Sequence, residues 1–126
     1  MSHLPPSVSG EARKAAETDC TFAFDSQLGA ADTWAGNADE HVATSYAKGR
    51  DELRAFWARI YAEPGFKLEW WPLTAEQHGS FVVTTGESRR TMVDKQGKTH
   101  VSTGHYITVW KRQPDGTYRF VWDGGE

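Results

Sequence analysis

Gly104-His-Tyr-Ile-Thr-Val-Trp-Lys-Arg-Gln-Pro-Asp-Gly-Thr-Tyr-Arg-Phe-Val-Trp-Asp123 is the stretch on which the reading of this chain turns. Residues 106–112 are rich in aromatic and β-branched side chains, which suit a pleated, half-buried surface. Pro114, Asp115 and Gly116 then supply a fixed φ, a side chain that bonds its own backbone, and a residue free to take positive φ. Residues 117–123 form the returning strand. Simple alternation places Tyr118, Phe120 and Trp122 on one side and Arg119, Val121 and Asp123 on the other. Both strands carry large apolar groups on both faces, so the pattern predicts a sheet covered on each side.

Upstream of this hairpin the strand pattern continues. Residues 67–78 read as a strand interrupted near Pro72, which predicts an edge strand or a bulge. Residues 81–93 read as a second, with a kink at Gly86. Lys95-Gln96-Gly97-Lys98 turns the chain into a third, 99–112. Long strands with internal glycines predict a strongly curved sheet.

Ahead of the strands the period changes. From residue 9 to about 34 the chain reads as one long helix. At about 100° per residue, Ala15, Ala16, Cys20, Phe22, Ala23, Phe24, Leu28, Ala30, Ala31 and Trp34 fill an arc of about 240°. Lys14, Thr21, Asp25 and Asp32 share the remaining arc. The helix is therefore expected to be buried on most sides. Asp19 falls inside the apolar arc, between Phe22 and Ala30. A connector over 35–48, holding His41 and Tyr46, leads to a second helix over 49–63. There Leu53, Phe56, Trp57, Ile60 and Tyr61 follow helical spacing. Asp51 and Glu52 suit its positive end, and Pro64-Gly65 ends it. Helices first, then an antiparallel meander, is an α+β layout. The curved sheet is expected to wrap around the long helix as a cone, with the helices covering an apolar pocket at one end.

Composition narrows the function classes. At 126 residues the chain is one domain, here 9–126 behind a loose tail, 1–8. Such a domain buries roughly two-thirds of its unfolded surface. A net charge of −3 without a basic cluster argues against nucleic acid as a partner. No apolar run is long enough to span a bilayer, and the N-terminus lacks an apolar signal core, so a cytoplasmic protein is expected. The single Cys20 rules out an internal disulfide framework and reads as a small core residue. His3, His41, His78, His100 and His105 have no metal-ligand spacing. No Ser–His–Asp order, phosphate-cradling glycine loop or zinc signature occurs. Six Trp, four Tyr and six Phe, by contrast, exceed what the core needs for packing. Rings in that number suit an apolar ligand or a partner.

Asp19 is the sharpest candidate for chemistry. A carboxyl group among apolar neighbours is costly to ionise, so its pKa should rise, and a raised carboxyl can serve as general acid or base near neutrality. The competing reading is a structural one, with Asp19 bonded to an arginine, to backbone or to a Trp N–H. Tyr106 shares a strand face with Thr108 and Trp110. If that face is concave it lines the pocket; if convex it forms a dimer seam. Trp57 and Tyr61 lie on the inner stripe of the second helix. Asp123 either caps the pocket mouth or is a solvated strand end.

Taken in order, several local patterns resemble the nuclear transport factor 2-like superfamily, which includes ketosteroid isomerases and SnoaL-like cyclases. They are Asp19-x-x-Phe22 with Gly29, Gly49-Arg50-Asp51, and Leu68-x-Trp70-x-Pro72 leading into Gly79-Ser80. Thr85-Gly86, Gly104-x-Tyr106-x-Thr108-Val109-Trp110 and Pro114-Asp115-Gly116 complete the set. The resemblance spans about 12–125 and is specific for fold rather than reaction. It implies a pocket for a small hydrophobic or aromatic ligand, bounded by Asp19, Phe22, Trp57 and Tyr61 from the helices. Trp70, Tyr106, Trp110 and Asp123 would complete it from the sheet. It further implies acid–base chemistry of isomerase, cyclase or hydrolase type, without cofactor or metal, with Asp19 and Tyr106 as catalytic candidates. Tyr106 would donate to a developing oxyanion, as a tyrosine does in ketosteroid isomerases. The 35–48 connector looks shorter than is usual in the family, which implies a more open pocket. The alternative is a non-catalytic association or ligand-binding module, the association reading resembling the association domain of calmodulin-dependent kinases. In either case a homodimer through the convex sheet face is expected.

Overall fold

The computed structural model describes residues 4–125; the first three residues of the expected tail, and residue 126, lie outside them. The elements are α1 (Gly10–Asn37), α2 (Gly49–Tyr61), β1 (Lys67–His78), β2 (Phe81–Val93), β3 (Thr99–Arg112) and β4 (Tyr118–Gly125). The strands form one antiparallel sheet in the order β1-β2-β3-β4. The arrangement is α+β, with the open sheet folded against the helices. No helix among the described residues is long and apolar enough to cross a membrane.

Strand period sets the inner face. Leu68, Trp70, Val82, Thr84, Tyr106, Trp110, Tyr118 and Phe120 are all buried. The face of β3 that carries Tyr106, Thr108 and Trp110 is thus the inner one. Asp19 and Phe22, from the buried side of α1, meet it. Phe22 stacks on Phe120 at 5.6 Å and meets Trp70 edge-on at 4.8 Å. Trp34 stacks on Trp57 of α2 at 3.9 Å. The surplus of rings is concentrated in this cluster, where T-shaped and offset contacts add to simple area burial.

Three departures from the sequence reading shape the site. First, α1 is less covered than expected. Phe24 and Leu28 are 72% and 92% exposed. The sheet and α2 cover one side of the helix, and the far flank of the apolar arc has nothing to pack against. The helix also bends at Ala30, whose backbone takes φ 48° and ψ −129°. Second, part of the 4–8 segment is held: Leu4 is buried, and the Arg13 guanidinium of α1 donates to the carbonyls of Val8 and Pro5 at 2.5 and 3.1 Å, while residues 5–7 are exposed.

Third, β4 carries a bulge. Trp110 pairs with Phe120, but Val109 pairs with Trp122, so Val121 is the extra residue. One inserted residue flips everything beyond it to the other face. Trp122 therefore leaves the side of Tyr118 and Phe120 and turns outward, while Asp123 turns inward opposite Thr108. A second irregularity, between Pro72 and Thr74 on the edge strand β1, falls where the proline removes a ladder donor. Gly86 pairs with Pro72 there. A Cβ on Gly86 would stand 2.7 Å from the Tyr106 ring, so glycine leaves the space that Tyr106 fills.

Candidate ligand-binding site

The aromatic cluster does not close the interior. A cavity of about 390 Å³ opens between the helices and one end of the sheet. Its apolar walls are Phe22 and Trp34 of α1, Phe56 and Trp57 of α2, and Leu68 and Trp70 of β1. Tyr106, Thr108 and Asp123 line the sheet side, and Ser45 and Tyr46 of the connector cover another. Ser88, Arg90, Ser102, Thr103 and His105 add polar groups.

Of the residues singled out in the sequence, Phe22, Trp57, Trp70, Tyr106 and Asp123 line this cavity. Asp19, Tyr61 and Trp110 do not. Tyr61 accepts a hydrogen bond from Trp34 Nε1 at 3.0 Å. Trp110 is fully buried and donates through Nε1 to Thr84 Oγ1 at 3.1 Å.

Asp19 lies behind the cavity wall, 1% exposed. Its Oδ1 accepts from Trp70 Nε1 at 2.9 Å. Its Oδ2 accepts from Thr84 Oγ1 at 3.0 Å and from the Tyr106 hydroxyl at 2.9 Å. Burial pushes its pKa up from 3.8 to about 6, against the pull of these three donors. Asp19 thus combines both readings drawn from sequence: its pKa is raised, and it is bonded to a Trp N–H. The cost of burying it is offset by donors that tie α1 to three strands. The same geometry commits the only Tyr106 proton to Asp19, so Tyr106 has none to give a ligand oxyanion. Burial and the adjacent Asp19 carboxylate push the Tyr106 hydroxyl far above its ordinary pKa.

Asp123 is the carboxyl group that reaches the cavity. The β4 bulge turns it inward, where Oδ1 accepts from Thr108 Oγ1 at 3.0 Å and Oδ2 from the Tyr46 hydroxyl at 3.2 Å. Tyr46 in turn accepts from Trp57 Nε1 at 3.2 Å. A relay from α2 through the connector to β4 therefore orients one carboxylate. Desolvation, assisted by the charge of Asp19, raises Asp123 from 3.8 to about 7. A group balanced between its two protonation states at neutral pH, on a cavity wall, can both take and return a proton.

The connector contributes more than its weak periodicity suggested. Tyr46 closes the cavity against Asp123. The start of the connector is pinned by buried Asp39, whose Oδ1 accepts from the His41 N–H and Oδ2 from Gln113 Nε2, both at 2.9 Å. Tyr46, Arg90 and the serines were not legible as site residues. Arg90 left one trace: it continues the inward phase set by Val82 and Thr84, where a cation is unexpected.

No protein-family model matches the sequence, and no curated protein is similar to it. Solved structures are similar at the level of fold. A ketosteroid isomerase-like protein from Erwinia carotovora atroseptica aligns with a TM-score of 0.79 at 10% identity, covering 93% of this chain and 95% of its own. A Xanthomonas campestris protein, provisionally described as a calcium/calmodulin dependent protein kinase II association domain, aligns with a TM-score of 0.74 at 16% identity. The match covers 99% of this chain and 93% of that one. A nuclear transport factor 2-like superfamily protein from Salmonella enterica aligns with a TM-score of 0.69 at 14% identity, over 92% and 89% of the two chains. Two helices preceding a four-stranded meander, a cavity at one end, and matches that run nearly the full length of both chains agree: this chain has the nuclear transport factor 2-like fold.

Proposed function

We propose that the chain binds a small hydrophobic or aromatic molecule in the cavity and that Asp123 is its acid–base group. The reading is carried by one observation. A ring-lined cavity of about 390 Å³, within the range of small-molecule sites, has a carboxyl group on its wall with a pKa near 7. In this reading Asp123 accepts a proton from a ligand C–H or O–H and returns it to another atom. Thr108 and Tyr46 hold the carboxylate in place. Asp19 is a positioning residue, setting Tyr106 and Trp70 as walls. The chemistry is of isomerase, cyclase or hydrolase type, and the protein is cytoplasmic. The outer sheet face, where Val83, Val109 and Trp122 form one row beside exposed Ile107, seats a second copy of the chain.

The test uses the six tryptophans as reporters. Titration with 2-naphthamide, a flat neutral aromatic, should shift the indole N–H resonances of Trp34, Trp57 and Trp70 and leave that of Trp122 in place. Absence of binding, or shifts confined to Trp122, would overturn the cavity reading.

A further inference from the structure

We infer that the cavity is built for an aromatic carboxylate, with the ring among the tryptophans and the carboxylate on Arg90, Ser88 and Ser102. The inference deepens the ligand reading above and rests on it.

The observation is a cluster of donors that the fold leaves unused. Ser88 and Arg90 are two residues apart on β2, so both point to the inner face. Ser102 of β3 pairs directly with Arg90, and Leu68 flanks it on β1. All three polar residues line the cavity. Arg90 is solvent-exposed and, among the described residues, has no carboxylate partner; its guanidinium lies over the Phe66 ring at 5.6 Å, and its charge also reaches the Tyr61 hydroxyl. Arg89, one residue away on the outer face, is by contrast held by Glu69 at 3.0 Å. Neither Ser88 nor Ser102 makes a side-chain hydrogen bond within the described protein. Arg90 is also the only lysine or arginine lining the cavity among the described residues.

A lone guanidinium stacked on a ring keeps its planar fork of N–H groups free, and that fork matches the two oxygens of a carboxylate. The flanking hydroxyls can donate to the same oxygens. The charge count favours a monoanion. Arg90 can hold one negative charge, while the Asp123 carboxyl on the same cavity lining adds its own negative charge when ionised; a dianion is disfavoured, and a monoanion fits best while Asp123 is protonated. Phe22, Trp34, Trp57 and Trp70 then supply an apolar, aromatic wall for the rest of the molecule.

The experiment compares 2-naphthoate with 2-naphthamide, matched in shape but not in charge, by calorimetry on the whole chain. The wild type should bind the naphthoate about 5-fold more tightly or better, a modest preference because Arg90 is partly solvated. Arg90→Gln should erase that preference, weakening naphthoate more than naphthamide, since it removes charge and keeps most of the wall area. Arg89→Gln should keep the preference. Raising the salt to about 0.5 M should shrink it. Equal binding of the two probes by the wild type, or a preference that survives Arg90→Gln, would overturn the carboxylate inference and leave the cavity reading intact. If neither probe binds, both fall.

Discussion

Asp19 and Asp123 are two carboxyl groups raised by burial that differ in where they stand relative to the cavity. Asp19 spends both oxygens on three donors behind the wall, and Asp123 stands on it. Their titration makes a signed prediction. A carboxyl whose pKa is higher folded than unfolded stabilises the fold while protonated, and loses that contribution as pH rises. For Asp123 the window runs from about 3.8 to about 7. Asp123→Asn, which mimics the protonated form, should therefore match the wild type near the lower end. It should gain on the wild type steadily up to the upper end and run parallel above it. Urea midpoints of the two proteins across that range check this; a gap that does not change with pH would count against a raised Asp123. The same variant should retain naphthamide binding and lose any proton-transfer activity. Trp57 is the other residue with a sharp expectation. It is buried, stacks on Trp34, and donates to Tyr46. Trp57→Ala should cost about 3–5 kcal/mol of stability. A melting curve close to that of the parent would contradict its placement in the core.

At the scale of elements, α1 and β4 each depart from ideal periodicity, and each departure has a consequence. In α1, Ala30 sits at a backbone conformation that L residues rarely adopt. Strain of this kind costs on the order of 1–3 kcal/mol, and glycine relieves it. Ala30→Gly should therefore raise stability by about 1 kcal/mol, net of the extra entropy glycine loses on folding. Thermal denaturation measures it, and a lower melting temperature would mean that the bend at Ala30 is not strained. Trp34 and Ala35, beyond the bend, are buried in the core. In β4 the inserted Val121 exchanges the faces of Trp122 and Asp123. A strand of unbroken alternation would have buried the indole and sent the carboxyl outward, leaving the cavity without its carboxyl group.

For the whole molecule, the question is what covers the outer face of the sheet. Trp122, 37% exposed, Ile107 and Val109 lie together on the two last strands. An apolar strip on an exposed sheet face is a ready surface for a second copy of the chain. Sedimentation equilibrium at micromolar concentration should give a dimer, and Trp122→Glu should shift it to monomer without unfolding it. A monomeric wild type would leave the strip as ordinary surface.

Period and punctuation in the sequence were enough to place both helices and the four strands, because apolar spacing and glycine or proline signals act locally. β1, β2 and β3 run over the very residues that their patterns marked. The burial of Asp19 was legible for the same reason, since a helical angle depends only on position along one element. What the tertiary structure decided was everything that depends on how elements meet. The two sheet faces were interchangeable until α1 packed on one of them. The apolar arc of α1 exceeded the surface available to cover it, so Phe24 and Leu28 stayed in solvent. The inward turn of Asp123 depends on a single unpaired residue in a strand ladder, which alternation cannot register. Tyr46 and Arg90 are distant in sequence from Asp123 and from each other, and only packing brings them around one cavity.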